Sequence, residues 1–233
     1  MKWVPASAIT WVALTALLAV LLLAVFWWDH EVADRAGFII AIVVAFLMGT
    51  RRIRVSDHAT ISIGFVAVFW TLIHFGPPEA AIAAALGGVA VVVAPMTRHK
   101  QTPLSAIYAV ASLVVTACAS GWVFMLAGGV QDSIDPWGMA VPATAAAATY
   151  HLVNCALVAA VSGLASRQSV WRLFRTYFGL SALTYYPGAG LALLAHLTWR
   201  VAGAWPLLAV LPVLYALHFA LTRLRTAPAP ERN

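Results

Sequence analysis

Charged residues are scarce in this chain. Only 9% of its 233 residues are Asp, Glu, Lys or Arg, whereas about 25% is usual for a soluble domain. None of these charges falls in the middle of a long apolar run. We therefore expect no buried carboxylate of the kind that proton pumps and ion-coupled carriers use, and no buried lysine for a retinal Schiff base.

Catalytic and cofactor motifs are also missing. The sequence has no HExxH or Walker motif, and no Ser/His/Asp constellation can be assembled from it. The two cysteines, Cys118 and Cys155, lie in apolar runs without CxxC or zinc-finger spacing, which indicates small buried hydrophobes. We expect neither an enzyme nor a cofactor. The basic residues form no contiguous face despite a net charge of +6, so no nucleic-acid partner is expected.

Apolar residues dominate what is present. They make up 63% of the sequence, with a mean hydropathy of +0.89, and predict an all-α transmembrane bundle. Eight apolar segments have nearly the length that a bilayer requires: 9–28, 33–49, 59–75, 80–96, 104–127, 138–163, 176–197 and 204–222. The Gly76–Glu79 turn also allows a re-entrant hairpin, so six spans are the alternative to eight. Residues 1–222 would form one domain, and 223–233 a disordered cytoplasmic tail.

The charges between the segments alternate in sign. All of the 14 Lys and Arg residues except Arg35 and Arg200 fall on one side of the predicted bundle, and most carboxylates fall on the other. Basic loops remain in the cytoplasm, so both termini are predicted to be cytoplasmic, in a bacterial inner membrane. Lipids are then the expected partners, and a homo-oligomer is compatible with this arrangement.

A group of uncharged polar residues lies near the middle of two segments. These candidate ligand-binding residues are Tyr150, His151, Asn154, Tyr185 and Tyr186. Pro187 follows directly with two glycines nearby, a combination that weakens a helix and exposes carbonyl groups as in many carriers. The alternative interpretation is that the polar groups only hold helices together, and that Pro187 makes an ordinary kink.

Three histidines end apolar segments on the acidic side: His30, His74 and His196. Carboxylates lie at a similar depth, so these imidazoles are candidates for a zinc site or for an acid sensor. Histidines are also common at membrane interfaces without such a role. The sequence does not indicate whether the three come together laterally.

Arginines cluster on the opposite side, at Arg51, Arg52, Arg54, Arg167, Arg172 and Arg175. In the 167–175 segment apolar residues alternate with the arginines, which predicts a stretch lying on lipid headgroups. Docking of a cytoplasmic or membrane signalling partner is the alternative role for these arginines.

Several short stretches resemble the bacterial MASE-type membrane sensor regions that precede GGDEF and HD-GYP output domains. They are Arg52-Ile-Arg54-Val, Phe75-Gly-Pro-Pro-Glu-Ala-Ala, Ala85-Leu-Gly-Gly, Tyr150-His-Leu-Val-Asn154, Trp171-Arg-Leu-Phe-Arg and Tyr185-Tyr186. The resemblance implies a sensory role and no catalytic residues. No output domain follows within this chain, so we expect either signalling through a separate partner or a different role altogether.

A sensory or ligand-binding membrane protein is therefore the leading expectation. A small-solute transport subunit, similar to the substrate-binding components of vitamin importers, is the alternative. A membrane-embedded enzyme ranks last, because acids and nucleophiles are lacking.

Overall fold

The computed structural model describes residues 5–50, 52–56, 59–93 and 102–203. Within them it has seven α-helices and one short β-hairpin. The helices are α1 (Ala6–Trp27), α2 (Arg35–Gly49), α3 (Gly64–His74), α4 (Pro77–Val93), α5 (Pro103–Leu126), α6 (Pro136–Ser166) and α7 (Val170–Ala202). They correspond in order to the first seven predicted segments. The predicted eighth segment, the predicted tail and Arg51 lie outside the described residues.

The hairpin is the one departure from an all-helical chain in the described part. β1 (Arg52–Ser56) pairs antiparallel with β2 (Ala59–Ser62), with Arg54 opposite Thr60. The third apolar segment was predicted to start as a helix at residue 59, and this is wrong, because β-branched Thr60 and Ile61 favour an extended backbone. Helix α3 begins only at Gly64.

Local signals set where the longer helices start. Thr102, Asp135 and Ser169 each precede a helix, and each side chain accepts a hydrogen bond from a backbone N–H of the first turn. Proline follows immediately in α5 and α6, where its missing N–H costs nothing and its fixed φ suits the first helical position.

Successive helices run in opposite directions, which gives the bundle two chemically different ends. The acidic end comprises residues 28–34, 75–79, 127–135 and 199–203, and contains Asp34, Glu79 and Asp132. Hydrogen bonds between helix ends and these connections hold it together: Trp27 Nε1 of α1 donates to the Pro78 carbonyl at 3.2 Å, and the Asp132 N–H donates to the Ile73 carbonyl of α3 at 3.2 Å. The basic end comprises the hairpin, Thr102 and residues 167–169.

Small residues let α4 approach its neighbours closely. A Cβ placed on Gly88 would lie 2.9 Å from the Cα of Val110 in α5, and one on Gly49 would lie 2.7 Å from the Gly87 carbonyl oxygen. Larger side chains at Gly49 or Gly88 would force these helices apart, so the small residues of α4 act as a packing surface. Ala80 and Ala84 on the same helix are fully buried.

Three helices, α1, α5 and α6, are long and apolar enough to cross a membrane. Large apolar side chains remain exposed on α1 and α2, among them Leu17, Val20, Val25, Ile39 and Leu47. By contrast α3, with 11 residues, extends only about 16 Å along its axis, which is short of the roughly 30 Å hydrocarbon core. The three long apolar helices and the exposed apolar side chains of α1 and α2 are those of a membrane protein, whereas α3 by itself could not span the bilayer.

Helix α7 is longer than predicted and unbroken. It begins at Val170, so Trp171, Arg172 and Arg175 belong to its first two turns and do not form a separate surface segment. It also continues through Pro187, so of the two interpretations of this proline, a helix break as in carriers is excluded. Pro187 faces outward, and Gly188 is buried where a Cβ would overlap the Phe65 ring. Close packing against α3 therefore explains this glycine.

Candidate functional site

A cavity of about 290 Å³ lies between α3, α4, α5, α6 and α7. Its inner limit is near the middle of the bundle, at Tyr150 and Tyr185, and its lining continues towards the basic end through Ser105 and Val161. The wall is formed by Gly64, Phe65, Val68, Ala84, Gly87, Val91, Ser105, Tyr108, Ala109, Ser112, Leu113, Tyr150, Asn154, Val158, Val161 and Tyr185. No charged side chain is among these described lining residues, so the cavity suits a neutral molecule.

Three of the predicted ligand-binding residues meet on this wall. Asn154 Nδ2 donates a hydrogen bond to the Tyr185 hydroxyl at 2.8 Å. The rings of Tyr150 and Tyr185 are 5.5 Å apart, and Phe65 packs against Tyr185 at 4.9 Å. Tyr150 and Tyr185 are both buried. The inner end of the cavity therefore presents aromatic rings beside one amide–phenol pair, an arrangement that can hold a flat molecule and orient it by hydrogen bonds.

The other two predicted residues do not line the cavity. His151 is fully buried and stacks between Phe178, at 4.2 Å, and Tyr185, at 5.2 Å. Its Nε2 donates to the Phe178 carbonyl at 3.0 Å, because a carbonyl can only accept. Tyr186 packs edge-on against the far side of His151 and is 41% exposed. His151 thus packs on Tyr185 without itself lining the cavity.

The sequence interpretation missed Tyr108. Its hydroxyl donates to the Leu157 carbonyl at 2.6 Å and accepts from Trp11 Nε1 at 3.2 Å, which links α5 to α6 and α1. Ser105 and Ser112 lie three residues before and four after it, on the same helical face, and all three line the cavity. These polar residues on one face of an apolar segment are the sequence signal from which Tyr108 could have been predicted as a cavity residue.

The acidic end contains a second cluster. His74 Nδ1 and His196 Nδ1 are 3.1 Å apart, and Asp132 Oδ1 lies 3.5 Å from the same His74 nitrogen. Arg200 Nη1 binds the other Asp132 oxygen at 2.9 Å. We call His74, His196 and Asp132 the histidine cluster; their three ligand atoms lie within 4.8 Å of one another. Trp70 stacks parallel to His74 at 5.5 Å.

His30, the third predicted histidine, lies elsewhere at the acidic end. Its Nε2 pairs with Oε1 of Glu79, a carboxylate only 2% exposed at the start of α4. The ring of Trp27 lies edge-on against His30 at 5.3 Å. The structure therefore brings together two of the three predicted metal ligands and adds Asp132, while His30 joins α1 to α4.

The predicted arginines differ in their surroundings. Arg167 ends α6 in a left-handed conformation, with φ of 55°. Arg172 and Arg175 are exposed on the first turns of α7, where the Arg175 guanidinium lies 4.9 Å from the Trp171 ring centre. Arg52 and Arg54 lie on β1. All of these arginines are at the basic end, and contact with lipid headgroups or a partner stays a prediction.

Comparison with known proteins identifies no relative. No family model, no curated protein and no solved structure matches the chain. The resemblance to membrane sensor regions therefore rests on the sequence stretches quoted above.

Proposed function

We propose that this chain is a multi-pass membrane protein of a bacterial inner membrane which binds a small neutral molecule within the bundle and serves a sensory role. One observation carries the proposal: a cavity of about 290 Å³ whose wall is apolar and aromatic except for a few hydroxyls and one amide. Ligand pockets commonly have this composition, and their volumes start at about 300 Å³.

The membrane setting is supported by composition and surface. Helices α1, α5 and α6 have the length and apolar character of spans. The acidic and basic connections lie at opposite ends of the bundle, as the positive-inside rule requires for an inserted chain. On this basis we place the basic end and both termini in the cytoplasm and propose six to eight spans.

The ligand chemistry follows from the cavity wall. Because no described lining residue carries a charge, a charged ligand would be desolvated without an opposite charge, at a large cost. An aromatic or otherwise planar molecule with one hydrogen-bonding group would lie against the wall that Phe65, Tyr150 and Tyr185 form, within reach of Asn154.

A sensory role is favoured over transport by the one-sided position of the cavity. Its lining extends from mid-bundle to the basic end, while the other half of the α3–α7 interface is filled by buried side chains such as Phe69 and Trp70. Helix α7 is also continuous, whereas many carriers bind their substrate at a discontinuous helix. Arg172 and Arg175, exposed at the basic end, are the proposed contacts for a signalling partner.

Binding is testable with a neutral fluorescent aromatic amine, 1-aminoanthracene, added to the protein in lipid nanodiscs. We expect saturable emission above that of empty nanodiscs. Ala109 lines the cavity, so Ala109→Leu should weaken probe affinity about tenfold by filling space. Ala156→Leu is the matched control, because Ala156 faces outward on α6.

Equal binding by the two leucine variants would contradict a site in the cavity. Release of preloaded probe from proteoliposomes, abolished by Ala109→Leu, would instead support the transport alternative. Saturable binding without such release supports the sensory proposal.

A further inference from the structure

We propose that the histidine cluster at the acidic end binds one zinc-class divalent cation through His74 Nδ1, His196 Nδ1 and Asp132 Oδ1. This site is separate from the cavity and does not depend on the proposed function. The ligand set differs from the three histidines that the sequence suggested, because Asp132 takes the place of His30. The ion would join α3, α7 and the connection between α5 and α6.

The hydrogen bonds of His196 prepare its Nδ1 for a metal. Nε2 of His196 lies 2.9 Å from the Ser133 carbonyl oxygen, which can only accept, so Nε2 carries the proton. In the neutral imidazole, Nδ1 then has a free lone pair, and it points at His74 Nδ1. Metal-ligating histidines are typically held in this way, by a carbonyl on the nitrogen that does not bind the ion.

The spacing of the nitrogens also fits an ion. Two ligands bound to a tetrahedral zinc at 2.0–2.1 Å lie roughly 3.3 Å from each other. The two Nδ1 atoms are 3.1 Å apart, and His74 Nδ1 is 3.5 Å from Asp132 Oδ1. Without metal, His74 Nδ1 donates its proton to His196 Nδ1. Metal binding therefore requires the neutral His74 ring to carry its proton on Nε2, which leaves the Nδ1 lone pair for the ion.

Asp132 is held with one oxygen facing the imidazoles. Arg200 binds Oδ2 at 2.9 Å, which leaves Oδ1 towards His74. The backbone N–H of Asp132 donates to the Ile73 carbonyl, so the carboxylate is tied to the last turn of α3. Because Arg200 offsets the carboxylate charge, the two imidazoles should contribute more to affinity than Asp132 does. A water would complete a four-coordinate site.

The test is Zn²⁺ titration by calorimetry of the full chain in nanodiscs, with any histidine tag removed, and Co²⁺ as a visible-absorption probe of coordination. We expect one ion per chain and tetrahedral Co²⁺ bands. His74→Gln and His196→Gln should each weaken binding about 100-fold or more, and Asp132→Asn about tenfold. His30→Gln is the matched control and should bind like the unmodified protein.

Each result decides the proposal. Failure of the unmodified protein to bind one equivalent overturns it, and so does an affinity within about threefold of that protein in both His74→Gln and His196→Gln. His196 is fully buried, so its variant can fold poorly, and Asp132→Asn then decides, because this side chain is 45% exposed. An unchanged Zn²⁺ affinity in Asp132→Asn contradicts a site with three ligands.

Discussion

The cavity and the histidine cluster both use side chains of α3 and α7, yet the cavity wall is mostly apolar and the cluster consists of ionisable groups. In the cavity, α3 and α7 contribute Phe65 and Tyr185, whose groups stay neutral under ordinary conditions. In the cluster, the same helices contribute His74 and His196, whose imidazole nitrogens are a ligand type that metals prefer. One helix pair therefore contributes side chains to both proposed sites, the cavity at mid-bundle and the histidine cluster at the acidic end.

Position along the bundle explains the difference. A charged group in the hydrocarbon core costs several kcal/mol (about 2.5–3.5 by insertion measurements), whereas one at the interface keeps access to water. Asp132 and Arg200 are both partly exposed, as expected near an interface. Tyr150, at the inner end of the cavity, is 2% exposed. Depth thus selects aromatic and amide groups inside and ionisable groups at the end.

Among substitutions near the cavity, we expect Gly188→Ala to have the largest effect on stability and on probe binding. A methyl group there would overlap the Phe65 ring, which must then swing into the cavity that it lines. Gly188→Ala should therefore destabilise the protein by about 2 kcal/mol through overpacking. It should also lower 1-aminoanthracene affinity, while Zn²⁺ binding at the acidic end persists. Thermal unfolding in nanodiscs with each ligand measures both effects.

Gly190 provides the control on the same helix. Outside the adjacent turns of α7, no atom of the described residues lies within 4 Å of a Cβ at this position, and the residue is exposed. Because alanine is the better helix former, Gly190→Ala should leave stability unchanged or raise it by up to about 1 kcal/mol. Equal destabilisation by the two alanine variants would show that α7 needs flexibility at Pro187, and would reinstate the broken-helix interpretation.

Helix positions were readable from the sequence because their signals are local. The apolar runs 104–127 and 138–163 predict α5 and α6, and both helices begin within two residues of the predicted starts. Pro187 is also a local signal, but it was compatible with either a helix break or an ordinary kink, and packing decided between them. A helix break is a local tendency, and the packing of Gly188 on Phe65 and the outward position of the proline ring override it.

The partners of the polar residues were not readable, because they depend on which helices become neighbours. Tyr108 meets Trp11 across 97 positions, and His74 meets His196 across 122. His30 is at the correct depth for the histidine cluster, yet it pairs with Glu79 of α4. The depth of a polar residue in the bundle can be predicted from hydropathy and charge. Its lateral neighbours depend on how the helices pack, here α1 against α4 and α3 against α7.

A smaller effect is expected for the hydrogen bond between Asn154 and Tyr185. Hydrogen bonds between membrane helices contribute on average about 0.6 kcal/mol in double-mutant cycles. The cycle of Asn154→Leu, Tyr185→Phe and the double variant should give a coupling energy near that value, measured by unfolding in detergent mixtures. The same cycle repeated on probe affinity distinguishes a structural pair from a binding pair.

If the two residues only hold helices together, the cycle on probe affinity shows no coupling although the stability cycle does. If they orient the ligand, each single variant weakens probe binding, and the double variant weakens it by less than the sum. The second result would strengthen the contrast with the histidine cluster, whose variants should leave probe binding unchanged.

The smallest expected effect is the coupling between the two regions. Tyr185 and His196 are eleven positions apart on α7, which corresponds to about 16 Å along its axis. Sites separated by more than about 10 Å with no shared partner usually behave additively to within 0.5 kcal/mol. Zn²⁺ at saturation should therefore change 1-aminoanthracene affinity by less than about twofold, and the probe should change Zn²⁺ affinity equally little, because linkage is reciprocal. A tenfold change in both directions would instead mean that α3 and α7 move as one rigid pair. The cation at the acidic end would then control access to the cavity, and the two regions would form a single allosteric device.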